Sequence, residues 1–106
     1  MGLFDSLRPA DINAGVREFR ETPGAKLIDV RTPAEFADGH IPGAVNVPLQ
    51  QIGSIAAAVP EAATPLFVYC LSGGRSAQAA AALKRAGYGD VRNIGGIGNW
   101  NGEVER

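Results

Sequence analysis

The chain has 106 residues, enough for one domain with a hydrophobic core. It is 45% hydrophobic and 20% charged, with a net charge of -1, so no electrostatic field favours nucleic acid or an anionic membrane. One cysteine, Cys70, and one histidine, His40, exclude an internal disulfide, argue against a zinc site and fit a reducing compartment.

No apolar run is as long as a membrane span, and "MGLFDSLRPADI" has neither the charged stretch nor the long apolar core of a secretory signal. In chain order, Ile12, Val16 and Phe19 recur at helical spacing, which predicts a helix over 9–20 with Pro9 in its first turn. A short buried strand is expected over 27–30. Thr32, Pro33 and Glu35 then spell a capping box for a short helix ended by Gly39. "AVNV" predicts a strand over 44–47, closed by Pro48. A helix over 49–59 turns Ile52 and Ile55 inward and stops at Pro60.

The stretch 66–69 is a fully apolar strand introduced by Pro65. A helix is expected from Arg75 or Ser76 to Ala86, with Gly87 as its C-terminal cap and Lys84 and Arg85 complementing the dipole. A last strand over 91–94 leads through "GGIGNW" into a terminal turn. Short apolar strands alternating with helices predict an α/β fold, a mainly parallel sheet with helices on both faces. Ligands bind such sheets at the carboxyl ends of the strands, and Cys70 lies just past the end of the most apolar one.

"VYCLSGGRSAQAAAALKRAG" surrounds that cysteine with features that favour a thiolate. A free thiol has a pKa of about 8.5. Here a helix N-terminus follows, Gly73 and Gly74 allow backbone N–H groups to converge into a nest, and Arg75 adds a fixed positive charge. The same nest would hold an incoming oxyanion or the outer sulfur of a persulfide.

Three stretches resemble the rhodanese family of sulfurtransferases. "LIDVRTPAEFADGHIPGAVNVP" is similar to the family's N-terminal signature. "YCLSGGRSAQAAAALKRAGY" is similar to its active-site loop and following helix, with the spacing C-x-x-G-x-R-S, and "NIGGIGNW" to its closing segment. The resemblance implies a single domain over 1–106 with a five-stranded, mostly parallel sheet, the fifth strand lying near 6–8. It also implies a chemistry. The Cys70 thiolate attacks the outer sulfur of a donor such as thiosulfate, carries the sulfur as a persulfide and yields it to cyanide or a thiol, protein thiols included. Leu71, Ser72, Gly73, Gly74, Arg75 and Ser76 would bind the donor and the persulfide, with Arg75 on the sulfonate. A cytoplasmic protein with no cofactor, no metal, no nucleic-acid partner and no membrane is expected. The six-residue loop from Cys70 to Arg75 matches the sulfurtransferases, whereas related phosphatases and arsenate reductases use a loop one residue longer. A non-catalytic persulfide carrier is the alternative from another class.

Other marked residues take structural readings. Asp29 is expected to bond nearby backbone and Arg31 to pair with Glu35. His40 is expected to be a hydrogen-bonding turn residue, Trp100 to be core, and Ser76 chiefly to cap its helix. Gly95, Gly96 and Gly98 do not make a nucleotide site, because the phosphate-loop lysine is missing.

Overall fold

The computed structural model describes residues 10–106. Helix α1 (Ile12–Glu21) is capped by Asp11, whose side chain accepts from the N–H groups of Asn13 and Ala14 at 3.0 and 3.4 Å. Strand β1 (Lys26–Asp29) leads to helix α2 (Pro33–Asp38), where the capping box closes. Thr32 Oγ1 accepts from the Glu35 N–H at 3.2 Å, and Glu35 Oε1 accepts from the Thr32 N–H at 2.9 Å.

Strand β2 (Ala44–Asn46) follows. The single helix expected over 49–59 is instead a 3₁₀ turn, Leu49–Ser54, running into a one-turn α3 (Ile55–Ala58). Its first turn closes from the Gln51 N–H to the Pro48 carbonyl at 2.8 Å, and Gly53 lowers helix propensity in its middle. Ile55 is nevertheless buried and Ile52 packs beside it, so the inward face is as expected. Strand β3 (Leu66–Cys70), helix α4 (Gly74–Arg85) and strand β4 (Val91–Gly96) complete the alternation, and a 3₁₀ turn (Ile97–Asn99) follows.

The sheet order is β2-β1-β3-β4 and every pairing within it is parallel, the α/β architecture that the alternation of strands and helices predicts. Four strands form among the described residues, one fewer than the resemblance implied. The place expected for the fifth, 6–8, lies outside them, as does the expected helix start at Pro9. No helix among the described residues is long and apolar enough to cross a membrane.

Period-two alternation sends the residues of β3 into two cores. Leu66, Val68 and Cys70 join Ile28, Ile55, Ala79 and Leu83 on the α4 face. Phe67 and Tyr69 join Ile12, Val16, Leu27 and Ile94 on the α1 face. The Tyr69 hydroxyl accepts from the Ile41 N–H at 3.1 Å, which satisfies a buried donor. On the α1 face Gly15 lets the helix press onto β4, since a Cβ there would lie 2.4 Å from Ile94 Cβ.

The β3–β4 ladder contains one irregularity. Val68 pairs with Asn93, but Tyr69 pairs with Gly95, so Ile94 is an extra residue in β4. This bulge, with Gly95 at φ +104°, shifts the register by one residue, and pairing resumes as Tyr69 with Gly95 and Cys70 with Gly96 at the carboxyl end of the sheet. The strand order reverses between β1 and β3, so the crevice that α/β sheets use for ligands opens beside Asp29 and Cys70.

Candidate active site

Cys70 is the last residue of β3, and α4 starts four residues later. Between them Gly73 takes φ +104°, a left-handed conformation that an L side chain resists. This turn brings the Gly73 N–H to 3.0 Å from Cys70 Sγ, and the Ser76 hydroxyl lies 3.4 Å from the sulfur. Gly74 does not share the positive φ of Gly73; it is the first residue of α4.

Burial alone pushes the Cys70 thiol up, because a thiolate loses hydration. The Ser76 hydroxyl and the backbone N–H groups of Ser76, Gly73 and Ser72 outweigh this, and the net shift is downward. The sulfur is thus acidified mainly by hydrogen-bond donors, not by a neighbouring guanidinium. Arg75 forms a two-pronged pair with Glu35 of α2, Nη1 to Oε1 at 2.7 Å and Nη2 to Oε2 at 3.0 Å.

The loop residues therefore separate by role. Ser72, Gly73 and Ser76 turn donors toward the sulfur. Leu71 exposes its side chain and accepts from the Gly98 N–H at 3.1 Å. Ser76 does not cap its helix; Gly73 occupies that position. The Ser76 side chain is fully buried, with Gly73 O at 3.1 Å and Asn93 Oδ1 at 2.7 Å as further neighbours.

One further correction lies at the end of β1. Arg31 pairs with Asp29, not Glu35: Nη2 lies 2.8 Å from Oδ2, and Nε lies 3.1 Å from both carboxylate oxygens. Arg31 Nη2 also donates to the Gly39 carbonyl at 2.7 Å, and Asp29 Oδ1 accepts from the Arg31 N–H at 2.9 Å, as its backbone-bonding reading required. The pair is buried and braces the turn after α2.

His40 is a turn residue as expected. Its Nδ1 lies 2.9 Å from the Phe36 carbonyl, its ring stacks on Phe36, and its backbone bridges to Glu105. Trp100 packs against the α1-side core and donates from Nε1 to the Glu103 carbonyl at 2.9 Å. A hollow lined by Arg17, Arg20, Trp100 and Asn101 shares no residue with the Cys70 loop.

Three contributors to the site were not among the residues singled out for it from the sequence. Gly96 lets β4 run against the loop backbone, since a Cβ there would lie 2.2 Å from the Leu71 carbonyl oxygen and 2.6 Å from Ser72 Cα. Asn93 touches both Ser76 and Gly73. Glu35 was visible as a helix-capping residue but not as the partner of Arg75. The cluster "NIGG" after an apolar strand is the signal that could have marked the first two.

A thiol at the end of a central parallel strand, acidified by loop amides at a helix N-terminus, is a nucleophile with an anion cradle. Residues 13–103 match the model of the rhodanese-like domain, and the chain belongs to that family of sulfurtransferases. A sulfurtransferase of Allochromatium vinosum is 43% identical over 81 residues, 76% of this chain and 75% of that protein. The thiosulfate sulfurtransferase PspE of Escherichia coli is 42% identical over 71 residues, 66% of this chain and 68% of that protein. A solved structure described as a rhodanese with anions from E. coli superposes with a TM-score of 0.72 at 36% identity, covering 77% of this chain and 98% of that one.

Proposed function

We propose that the protein moves sulfane sulfur from a donor such as thiosulfate to a thiol or cyanide through a persulfide on Cys70. The observation that carries this reading is the pair of donors on the sulfur, the Gly73 N–H at 3.0 Å and the Ser76 hydroxyl at 3.4 Å. Together they favour the anion that must attack.

In the first half-reaction the Cys70 thiolate forms a bond to the outer sulfur of thiosulfate. The S–S bond of the donor breaks, and sulfite leaves with the electron pair. Cys70 then carries a persulfide whose negative charge rests on the outer sulfur. In the second half-reaction an acceptor thiolate or cyanide bonds to that outer sulfur, and Cys70 leaves as a thiolate. The donors on the sulfur favour ionisation before attack, so the step itself needs no base. The only cysteine of the chain is Cys70, so the acceptor comes from outside it.

Arg75 meets the sulfonate end of the donor. Glu35 engages one N–H on each of its terminal nitrogens, which leaves three of the five guanidinium N–H groups for the donor. Leu71, Ser72, Gly73, Gly74 and Ser76 form the rim and floor of the cradle.

The test is intact mass after exposure to thiosulfate, beside a turnover assay with cyanide. One added sulfur atom on the natural chain, none on Cys70→Ser, and turnover lost in that variant are expected. Loading without turnover with cyanide or small thiols identifies a carrier instead. Turnover retained by Cys70→Ser, or Cys70-dependent phosphate release from an aryl phosphate without sulfur loading, overturns the reading.

A further inference from the structure

We propose that Asn93 is a positioning residue for Cys70, acting through Ser76, whose one hydroxyl proton turns between Asn93 Oδ1 and Cys70 Sγ as the sulfur changes charge. This rests on the persulfide reading only for its place in a catalytic cycle.

Three acceptors surround Ser76 Oγ: Asn93 Oδ1 at 2.7 Å, the Gly73 carbonyl at 3.1 Å and Cys70 Sγ at 3.4 Å. A hydroxyl donates once, so these contacts are alternatives. The orientation of the Asn93 amide is set by its other neighbours. The Gly95 N–H donates to Oδ1 at 3.1 Å, and Nδ2 donates to the Gly73 carbonyl at 3.3 Å. Reversing the amide would set two donors against each other and two oxygens against each other. The bulge puts Asn93 there: it is the last residue of β4 in regular register, opposite Val68, and so lies on the α4 face with Cys70.

The two hydroxyl positions suit two charge states. With a neutral thiol, the S–H donates to Ser76 Oγ and the Ser76 hydroxyl donates to Asn93 Oδ1, the shorter contact. With a thiolate, the sulfur can only accept, and the hydroxyl turns to it. Asn93 Oδ1 then keeps the Gly95 N–H, so no buried acceptor is stranded. In a persulfide Sγ carries no charge, and the hydroxyl returns to Asn93. When an acceptor takes the outer sulfur, charge returns to Sγ and the hydroxyl meets it. Ser76 keeps its proton throughout. Asn93 therefore stabilises the uncharged states of Sγ in competition with the thiolate.

The charged groups packed around this loop are Arg75 on α4, Glu35 on α2 and the Asp29–Arg31 pair at the end of β1. Each is paired with another of the set, and a neutral substitution at Asn93 leaves their charges unchanged.

The test is the pH dependence of Cys70 alkylation by iodoacetamide. In Asn93→Leu the midpoint is expected to fall by about 0.5 unit, because the thiol state exchanges the 2.7 Å contact with Asn93 Oδ1 for the 3.1 Å contact with the Gly73 carbonyl, while the thiolate state uses neither. In a Ser76→Ala background the same substitution is expected to leave the midpoint in place. No shift, a rise, or an equal shift in both backgrounds overturns the proposal. A second measurement needs no substitution at Asn93. The ¹⁵N–¹H signal of Gly95 in the natural chain is expected to titrate with the Cys70 midpoint, and the amplitude to fall by at least about half in Ser76→Ala. A signal that ignores Cys70, or an amplitude unchanged by Ser76→Ala, overturns it. Neither measurement uses a sulfur donor, so a failure of the hydroxyl pivot and a failure of sulfur loading are read separately.

Discussion

Glu35 and Arg75, forty positions apart, meet in a two-pronged ion pair with contacts of 2.7 and 3.0 Å. Glu35 comes from the helix after β1 and Arg75 from the helix after β3, so the pair spans the crevice where the sheet order reverses. The same carboxylate closes the α2 capping box through the Thr32 N–H. One side chain thus ties a helix start to the rim of the thiol loop.

This arrangement makes Glu35 a source of pH-dependent stability. The Arg75 contact and the Thr32 N–H hold its carboxyl at about 2, below the ordinary 4.5. A depressed carboxyl stabilises the fold fully above its ordinary pKa, and the contribution is lost as pH falls through the folded one. Glu35→Gln keeps one capping oxygen and removes the charge together with one of the two oxygens that Arg75 engages. Because both partners are about a third exposed, a loss of about 0.5–1 kcal/mol is expected at pH 7. Urea denaturation of the two proteins should give that gap at neutral pH and converging curves towards pH 2.

Gly96→Ala should damage the loop more than its size suggests. The new Cβ would meet the Leu71 carbonyl oxygen at 2.2 Å, and backbone cannot turn aside as a flexible side chain can. A loss of about 1–3 kcal/mol is expected from overpacking. Cys70 alkylation at neutral pH should slow as well, since Ser72 and Gly73 must shift. Thermal melting and iodoacetamide kinetics on the same sample check both.

Asp29→Ala strands the Arg31 guanidinium, which is only 5% exposed. Breaking a buried pair by removing one partner costs about 3–5 kcal/mol. Arg31→Lys should also destabilise, because an ammonium cannot hold both carboxylate oxygens and the Gly39 carbonyl with the geometry of a guanidinium. Chemical denaturation of the two variants beside the natural chain measures the losses.

The acidified thiol has its own linkage. Its folded pKa lies below the reference value of 9.0, so the unfolded chain binds more protons between the two values. Stability relative to Cys70→Ser should rise with pH across that window and level off above 9.0. Denaturation midpoints from pH 6 to about 10 test the slope, and a gap that narrows as pH rises contradicts the acidification.

Much of this architecture is legible in the chain because strands, caps and turns are local. The strand stretches 27–30, 44–47 and 66–69 fall within a residue or so of β1, β2 and β3, whereas β4 runs two residues past its expected end to Gly96. The Thr32–Glu35 capping box closes as its spacing requires, and Gly87 is left-handed just past α4. What escaped was partner choice across the fold. Arg31 and Glu35 stand four apart, which invited a pairing. The tertiary crossing instead gives Glu35 to Arg75 and turns Arg31 back onto Asp29. Asn93 was hidden for a different reason, since its role depends on a one-residue slip in pairing that hydrophobic alternation does not encode. The hydroxyl of Ser76 resembled a cap because the position of Gly73 at the helix start could not be known beforehand.

The parallel ladder also constrains the order of assembly. β1 pairs with β3 from Lys26 to Leu66 onward, and β3 with β4 across the whole of α4, so no hairpin among the described residues offers a short first contact. Closing such long segments makes refolding slow relative to helical chains of this size. The backbone that props the thiol loop belongs to the last strand, so on the ribosome Cys70 emerges before its acidifying environment exists. Its rate with a thiol reagent is therefore a clock for the docking of β4, changing from that of an open-chain thiol to that of a buried sulfur held by the loop donors.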